Sequence, residues 1–193
     1  MYMYEPAIIK ESSEGMSRYS VLDAMFQRRE IQCIGTVDAD MVNSLITQIR
    51  YLAAEAPNEE ITMFINSPGG SVPDGIALLD VMAAVPCPIR TVCVGTAASM
   101  ASLLFVCGDT RDMLKHSHLM IHDPLIQNLS GSALKIENAS KNLLKTRETI
   151  GKIYAKVSGK TLEEIYAITC EDTMLDAQAA LDMGFADRII TKI

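Results

Sequence analysis

Thr91-Val92-Cys93-Val94-Gly95-Thr96-Ala97-Ala98-Ser99-Met100-Ala101-Ser102-Leu103-Leu104-Phe105-Val106-Cys107-Gly108 runs for 18 residues without a charge. That length sits at the lower limit for crossing a bilayer, so its reading decides what kind of protein this is. The interior argues against a span. Gly95 interrupts it, Thr91, Thr96, Ser99 and Ser102 punctuate it, and it divides into a buried strand over 89–94, a turn, and a helix from about Ser99. Strand, turn and helix in one apolar run is the signature of an α/β core.

Both flanks repeat the alternation. Asp38 caps a helix whose apolar stripe is Met41, Leu45, Ile46, Ile49 and Leu52. A short strand over 61–65 follows, closed by Pro68-Gly69-Gly70, then a helix from about Asp74 to Ala84 that Pro86 and Pro88 stop. A third strand leads from His118 into His122 and ends at Pro124. Residues 132–157 are continuously compatible with one helix, far longer than usual. Its apolar positions drift around the helix, so it either reaches toward another subunit or packs along one side of its own domain. Thr161-Leu162-Glu163-Glu164 is a capping box, Asp176 caps a further helix that ends at Gly184, and residues 186–192 form a last strand.

Composition narrows the function. A chain of 193 residues fits one domain. The net charge of −7, without a basic cluster, argues against nucleic acid or an anionic membrane as the main partner. Five scattered cysteines without a CxxC pair point to a reduced, cytoplasmic protein. Met1 to Pro6 lacks the basic start and apolar stretch of a secretory signal.

Three segments carry chemistry. Ser99 lies among Ala97, Ala98 and Ala101, which let a substrate backbone approach, and at a helix start, which favours negative charge. On this segment alone a plain N-cap is the commoner reading. It is not in a GxSxG elbow, which excludes the α/β-hydrolase reading. Gly69-Gly70 after a buried strand either turns N–H groups outward as an oxyanion hole requires, or is simply a tight turn. His122, held extended before Asp123-Pro124, is a general base or a structural histidine. His116, His118 and His122 would share one face if the strand began early enough, but Lys115 and Ser117 read as a turn, so no metal site is expected. Gly159-Lys160-Thr161 is not a P-loop, because Tyr154 stands where its first glycine belongs. No cofactor is expected.

Taken in order, Asn66-Ser67-Pro68-Gly69-Gly70, Ala98-Ser99-Met100, Met120-Ile121-His122 and Glu171-Asp172 resemble the signatures of ClpP, the proteolytic-subunit family of the Clp protease, from about Ser17 to Ile190. The resemblance implies a crotonase-like α/β head over 17–193, a projecting handle at about 125–158, and an axial-pore segment over 1–16. It implies heptameric rings stacked as a tetradecamer, a separate hexameric ATP-driven unfoldase, and unfolded polypeptides as substrates. Ser99 would be the nucleophile, His122 the base and Asp172 its orienting acid. Gly70 and Met100 would supply the oxyanion hole. Ser71, Val72 and Leu125 would pair with the substrate as an added strand.

Three departures from the family pattern bear on activity. Asp123 replaces the usual glutamine beside the histidine, and a carboxylate there is expected to favour the imidazolium and weaken the base. The stretch between Pro124 and Gly131 is about one residue longer than usual and lacks a glycine pair. Lys135 and Glu171 exchange the charges of the pair that usually joins two rings, so rings of this chain are expected to reject a relative of ordinary polarity. An active peptidase is therefore weighed against a poorly active ring subunit that needs a ClpP paralogue. An acyl-CoA enzyme of the crotonase group is a more distant alternative, since a serine–histidine–aspartate set has no use in that chemistry.

Overall fold

The computed structural model describes residues 6–13, 15–126 and 128–193. A hairpin of β1 (Ala7–Ser12) and β2 (Gly15–Ser20) leads into α1 (Val21–Gln27). There follow β3 (Glu30–Val37), α2 (Ala39–Glu55), β4 (Ile61–Gly70), α3 (Val72–Ala84), β5 (Ile89–Ala98) and α4 (Met100–Val106). The chain continues through β6 (Thr110–Leu114), β7 (His118–Ile121), α5 (Ala133–Ser158) and α6 (Leu162–Thr169). It closes with β8 (Thr173–Asp176), α7 (Ala177–Asp182) and β9 (Arg188–Ile190).

Strands β3, β4, β5, β6 and β9 pair in that order, all parallel, with β3, β4 and β5 joined in sequence through α2 and α3. Such sheets are covered on both faces, which is why β4 and β5 read as near-continuous apolar runs. Asp38 accepts the Met41 N–H at 2.9 Å, and α2 buries Val42, Leu45, Ile49, Leu52 and Ala53. The core is aliphatic, with Tyr154, Phe105 and Phe185 as its largest fully buried side chains. The 18-residue apolar stretch is β5 and α4, and no helix among the described residues is long and apolar enough to cross a membrane.

β5 forks, and the fork builds the site. Its first part, Arg90 to Cys93, pairs with β6; its last part, Thr96 to Ala98, pairs with β7. Between them the β4–β5 register shifts, and Asn66 Oδ1 catches the Thr96 N–H at 3.1 Å. Gly95 leaves room for this bond, since a Cβ there would lie 2.6 Å from that same oxygen and push the Asn66 side chain away. The bulge re-aims the end of β5, a common device beside functional sites.

The structure lengthens some elements read from sequence and adds others. β4 does not stop at Ile65 but runs through Pro68 to Gly70, and β5 runs past Val94 to Ala98. Proline is tolerated inside β4 because the ladder is irregular on both sides, at Ile34/Thr36 and at Ile65/Ser67. β6 is a full member of the sheet although Arg111 and Asp112 break its apolar pattern. Asp112 is fully buried because Arg90 from β5 and Arg188 from β9 donate to its two oxygens, each from Nε at 2.7 Å. His116 lies in the turn before β7, not on its face. Residues 1–5, on which the signal-peptide reading rests, lie outside the described residues.

α5 spans 26 residues, capped by Ser132 and ended by Gly159 at φ 71°, yet only Ile150, Gly151 and Tyr154 are buried. Its first four turns leave the core. The cysteines are free: Cys33, Cys87 and Cys93 are buried, and Cys170 is exposed. Burial pushes the Cys33 thiol up to about 12 and that of Cys107 to about 11.

Candidate active site

Register alone assembles the site. Ser99 directly follows Ala98, the last residue of β5, which pairs with Met120 of β7. His122 directly follows Ile121, the last residue of β7. β8 runs antiparallel to β7 with Thr173 opposite Ile121, so Asp172, one residue before it, comes to His122. Three residues far apart in sequence thus meet at one end of three neighbouring strands, where ligands of open α/β sheets usually bind.

The His122 Nε2 to Ser99 Oγ distance is 2.8 Å, a good hydrogen bond. On the other side of the ring, Nδ1 lies 3.6 Å from Asp172 Oδ1, close enough for charge interaction but too long for a hydrogen bond. The histidine side chain is 13% exposed and the aspartate 78%. The chemistry needs Nδ1–H facing the carboxylate and an unprotonated Nε2 accepting the serine proton.

Ser99 has φ 53° and ψ −124°, a backbone conformation that L-residues rarely adopt and that costs about 1–3 kcal/mol. It makes no side-chain cap bond, so its hydroxyl is not spent as the N-cap alternative would have it. Strain of this kind persists only when the surroundings over-determine it. Here the Ser99 N–H donates to Met120 O at 2.9 Å. Its carbonyl accepts from the Ser102 N–H at 3.0 Å and from the Ser102 hydroxyl at 2.6 Å.

Gly69, at φ 90°, lies against the same turn: a Cβ there would stand 2.7 Å from Ser99 Cβ and 2.9 Å from Met100 N. Gly70, at φ 156°, would drive a Cβ into the Val37 carbonyl. Met100 is the first residue of α4, a position whose amide has no intrahelical acceptor. Gly69, Ser99 and Met100 therefore share one small volume, with Gly70 packed on Val37 beside it.

Beside them opens a cleft of about 760 Å³ lined by Ser71, Val72, Ile76, Leu125, Leu143 and Thr146, among others. One wall is the start of α3, another the chain after Pro124, the third the exposed half of α5. Leu125 and Ile126 are exposed there. Lys135 and Glu171 are both exposed, and neither forms an ion pair among the described residues.

The Asp123 carboxylate has partners other than the imidazole beside it in sequence. Its carboxylate accepts from Arg147 Nε at 2.6 Å and from the Thr169 hydroxyl at 2.7 Å, and its N–H donates to Thr169 O at 2.7 Å. The Arg147 guanidinium also stacks 3.7 Å over the Tyr166 ring. The charge expected to disturb His122 is thus neutralised by a cation that sequence proximity does not reveal.

Against known proteins, a family model described as Clp protease matches residues 13–193. The chain belongs to the Clp protease family. It is similar to the ATP-dependent Clp protease proteolytic subunit of Ligilactobacillus salivarius (strain UCC118), at 39% identity over 187 residues, covering 96% of this chain and 94% of that one. Within this family member, Ser102, Tyr154, Arg147 and Thr169 border the site without having been singled out from sequence. The partners of Tyr154, Arg147 and Thr169 lie 52, 24 and 46 residues away, beyond the reach of any local pattern, and only the Ser102–Ser99 contact is local.

Proposed function

We propose that the chain is a serine endopeptidase subunit that hydrolyses unfolded polypeptides through an acyl-enzyme. The observation that carries this reading is the Ser99–His122 hydrogen bond on a strained, over-determined serine turn. Ser99 Oγ attacks the scissile carbonyl carbon while its proton passes to His122 Nε2. The C–N bond then breaks, and His122 returns that proton to the leaving amine. Water attacks the ester, its proton taken by His122 and passed to Ser99 as the acid product leaves.

Asp172 orients the ring and stabilises its charged form. The Gly70 and Met100 N–H groups meet the oxyanion. The substrate backbone lies as an added strand between Ser71-Val72 and Leu125, with its side chains in the cleft. The relative from Ligilactobacillus salivarius is named as ATP-dependent. By analogy we assign this chain a separate hexameric unfoldase, seven-membered rings stacked in pairs, and a cytoplasmic location. Lys135 and Glu171 are assigned to the contact between rings, selecting rings of like sequence.

A second reading is favoured by the exposure of Asp172 and its 3.6 Å separation from the ring. In it the chain is a poorly active ring subunit that a paralogous ring completes. Asp123 no longer supports it, since Arg147 has taken its charge. Exposure of the purified protein to a fluorophosphonate, alongside Ser99→Ala, with particle size read by light scattering, decides between them. Stoichiometric labelling lost in the variant, on a particle near fourteen subunits, is the expected result. An unlabelled particle of seven subunits or fewer would favour the second reading.

A further inference from the structure

The serine turn rests on a polar relay that starts in α5. Tyr154 is 1% exposed, its ring edge-on to Phe185 with centroids 5.7 Å apart, and its hydroxyl oxygen lies 2.6 Å from Ser102 Oγ. Ser102 is fully buried, and its oxygen lies 2.6 Å from the Ser99 carbonyl. Hydrogen counting fixes the direction. A carbonyl only accepts, so the one hydroxyl hydrogen of Ser102 must go to Ser99 O. Tyr154 must then supply its own hydrogen to Ser102 Oγ. Burial raises the phenol pKa well above its ordinary value, which keeps Tyr154 a donor throughout the pH range of activity.

We propose that Tyr154, acting through Ser102, is a positioning residue that holds Ser99 in its strained, His122-facing conformation. The inference rests on Ser99 being the nucleophile. Without the phenol, Ser102 Oγ loses the donor that fixes it, and its own bond to the Ser99 carbonyl is weaker and held by the Ser102 rotamer alone. The peptide after Ser99 can then turn, and with it both Oγ and the Met100 N–H assigned to the oxyanion. A buried pair with a merely structural role would stabilise the fold without setting this geometry. The two roles are therefore separable by experiment.

Three variants of the full chain test it: Tyr154→Phe, Ser102→Ala and the double variant, each read by fluorophosphonate labelling rate, by kcat and KM on a fluorogenic peptide amide, and by Tm. Tyr154→Phe keeps the ring packing and is expected to lower the labelling rate and kcat about ten-fold, the scale of a small misplacement, with KM unchanged. Ser102→Ala leaves the phenol unpaired and lowers Tm by several degrees as well, on the order of 3–6 °C. The double variant removes both polar groups, so Tm recovers while labelling stays slow. Labelling by Tyr154→Phe at the unmodified rate would overturn the proposal, as would a double variant that regains rate together with Tm. If the unmodified protein itself resists the probe, the peptidase reading falls first and takes this inference with it.

Discussion

The two halves of the site are built differently. Ser99 sits half-buried between β5 and α4, with both flanking peptide groups hydrogen-bonded and Gly69 packed against it. Asp172 sits one residue before the four-residue β8 with its side chain 78% exposed, so the high dielectric of water weakens its pull on the ring. The proposed nucleophile is therefore positioned by folding alone, whereas the proposed acid lacks the dry surroundings that would give its charge full effect. An exposed ion pair contributes about 0–1 kcal/mol, while a charge-assisted hydrogen bond to a buried partner contributes about 1.5–3 kcal/mol. That difference, up to about two orders of magnitude in rate, is the least that a covering surface would add.

Gly69→Ala breaks the comparison on the nucleophile side and carries the largest expected effect on subunits that leave position 172 exposed. The new Cβ would lie 2.5 Å from Ala98 O and 2.9 Å from Met100 N, which are backbone atoms that cannot step aside. Alanine at φ 90° is strained in addition. Labelling at Ser99 should fall by at least about 100-fold and Tm by about 5–10 °C. A variant that labels normally would show that the paired glycines are an ordinary turn.

Asp172→Asn tests the other half. On subunits that leave position 172 in water, the change should cost no more than about five-fold in labelling, in line with an exposed pair. On an assembly that excludes water from the same face, it should cost about 10⁴-fold, as an asparagine that stabilises the wrong histidine tautomer does in a buried triad. The ratio of the two costs measures how much of the catalytic set folding leaves unfinished. Equal costs would mean that assembly does not act through Asp172.

The same contrast explains what was legible in the sequence. Ser99, His122 and the glycine pair each stand at the end of an apolar strand, so local pattern finds them and a parallel sheet brings strand ends together. Asp172 precedes a strand too short to announce itself, and only likeness to a family singles it out. β6 hides because Asp112 looks like a surface residue until Arg90 and Arg188 are seen around it. Tyr154 reads as one more apolar position of a long helix; nothing within its own turn points to Ser102. Asp123 misleads for the same reason, since its partner is a helix away in sequence.

Arg147→Gln returns to Asp123 and carries an effect far smaller than that of Asp172→Asn on a covered face, about three- to ten-fold on the scale of one lost charge partner. In the native arrangement Arg147 and Thr169 occupy both oxygens of Asp123. Removing the cation leaves a carboxylate with one hydroxyl partner, adjacent in sequence to the imidazole. A negative charge there favours the protonated ring, and a protonated ring cannot take the Ser99 proton. The acidic limb of the pH–rate profile should therefore move to higher pH, while the rate on the alkaline plateau falls little. Asp123→Asn in the Arg147→Gln background removes the charge and should bring the limb back. If Arg147→Gln instead lowers the rate equally at all pH values, the cation holds the chain after His122 in place through Tyr166 and Thr169, and its neutralisation of Asp123 is incidental.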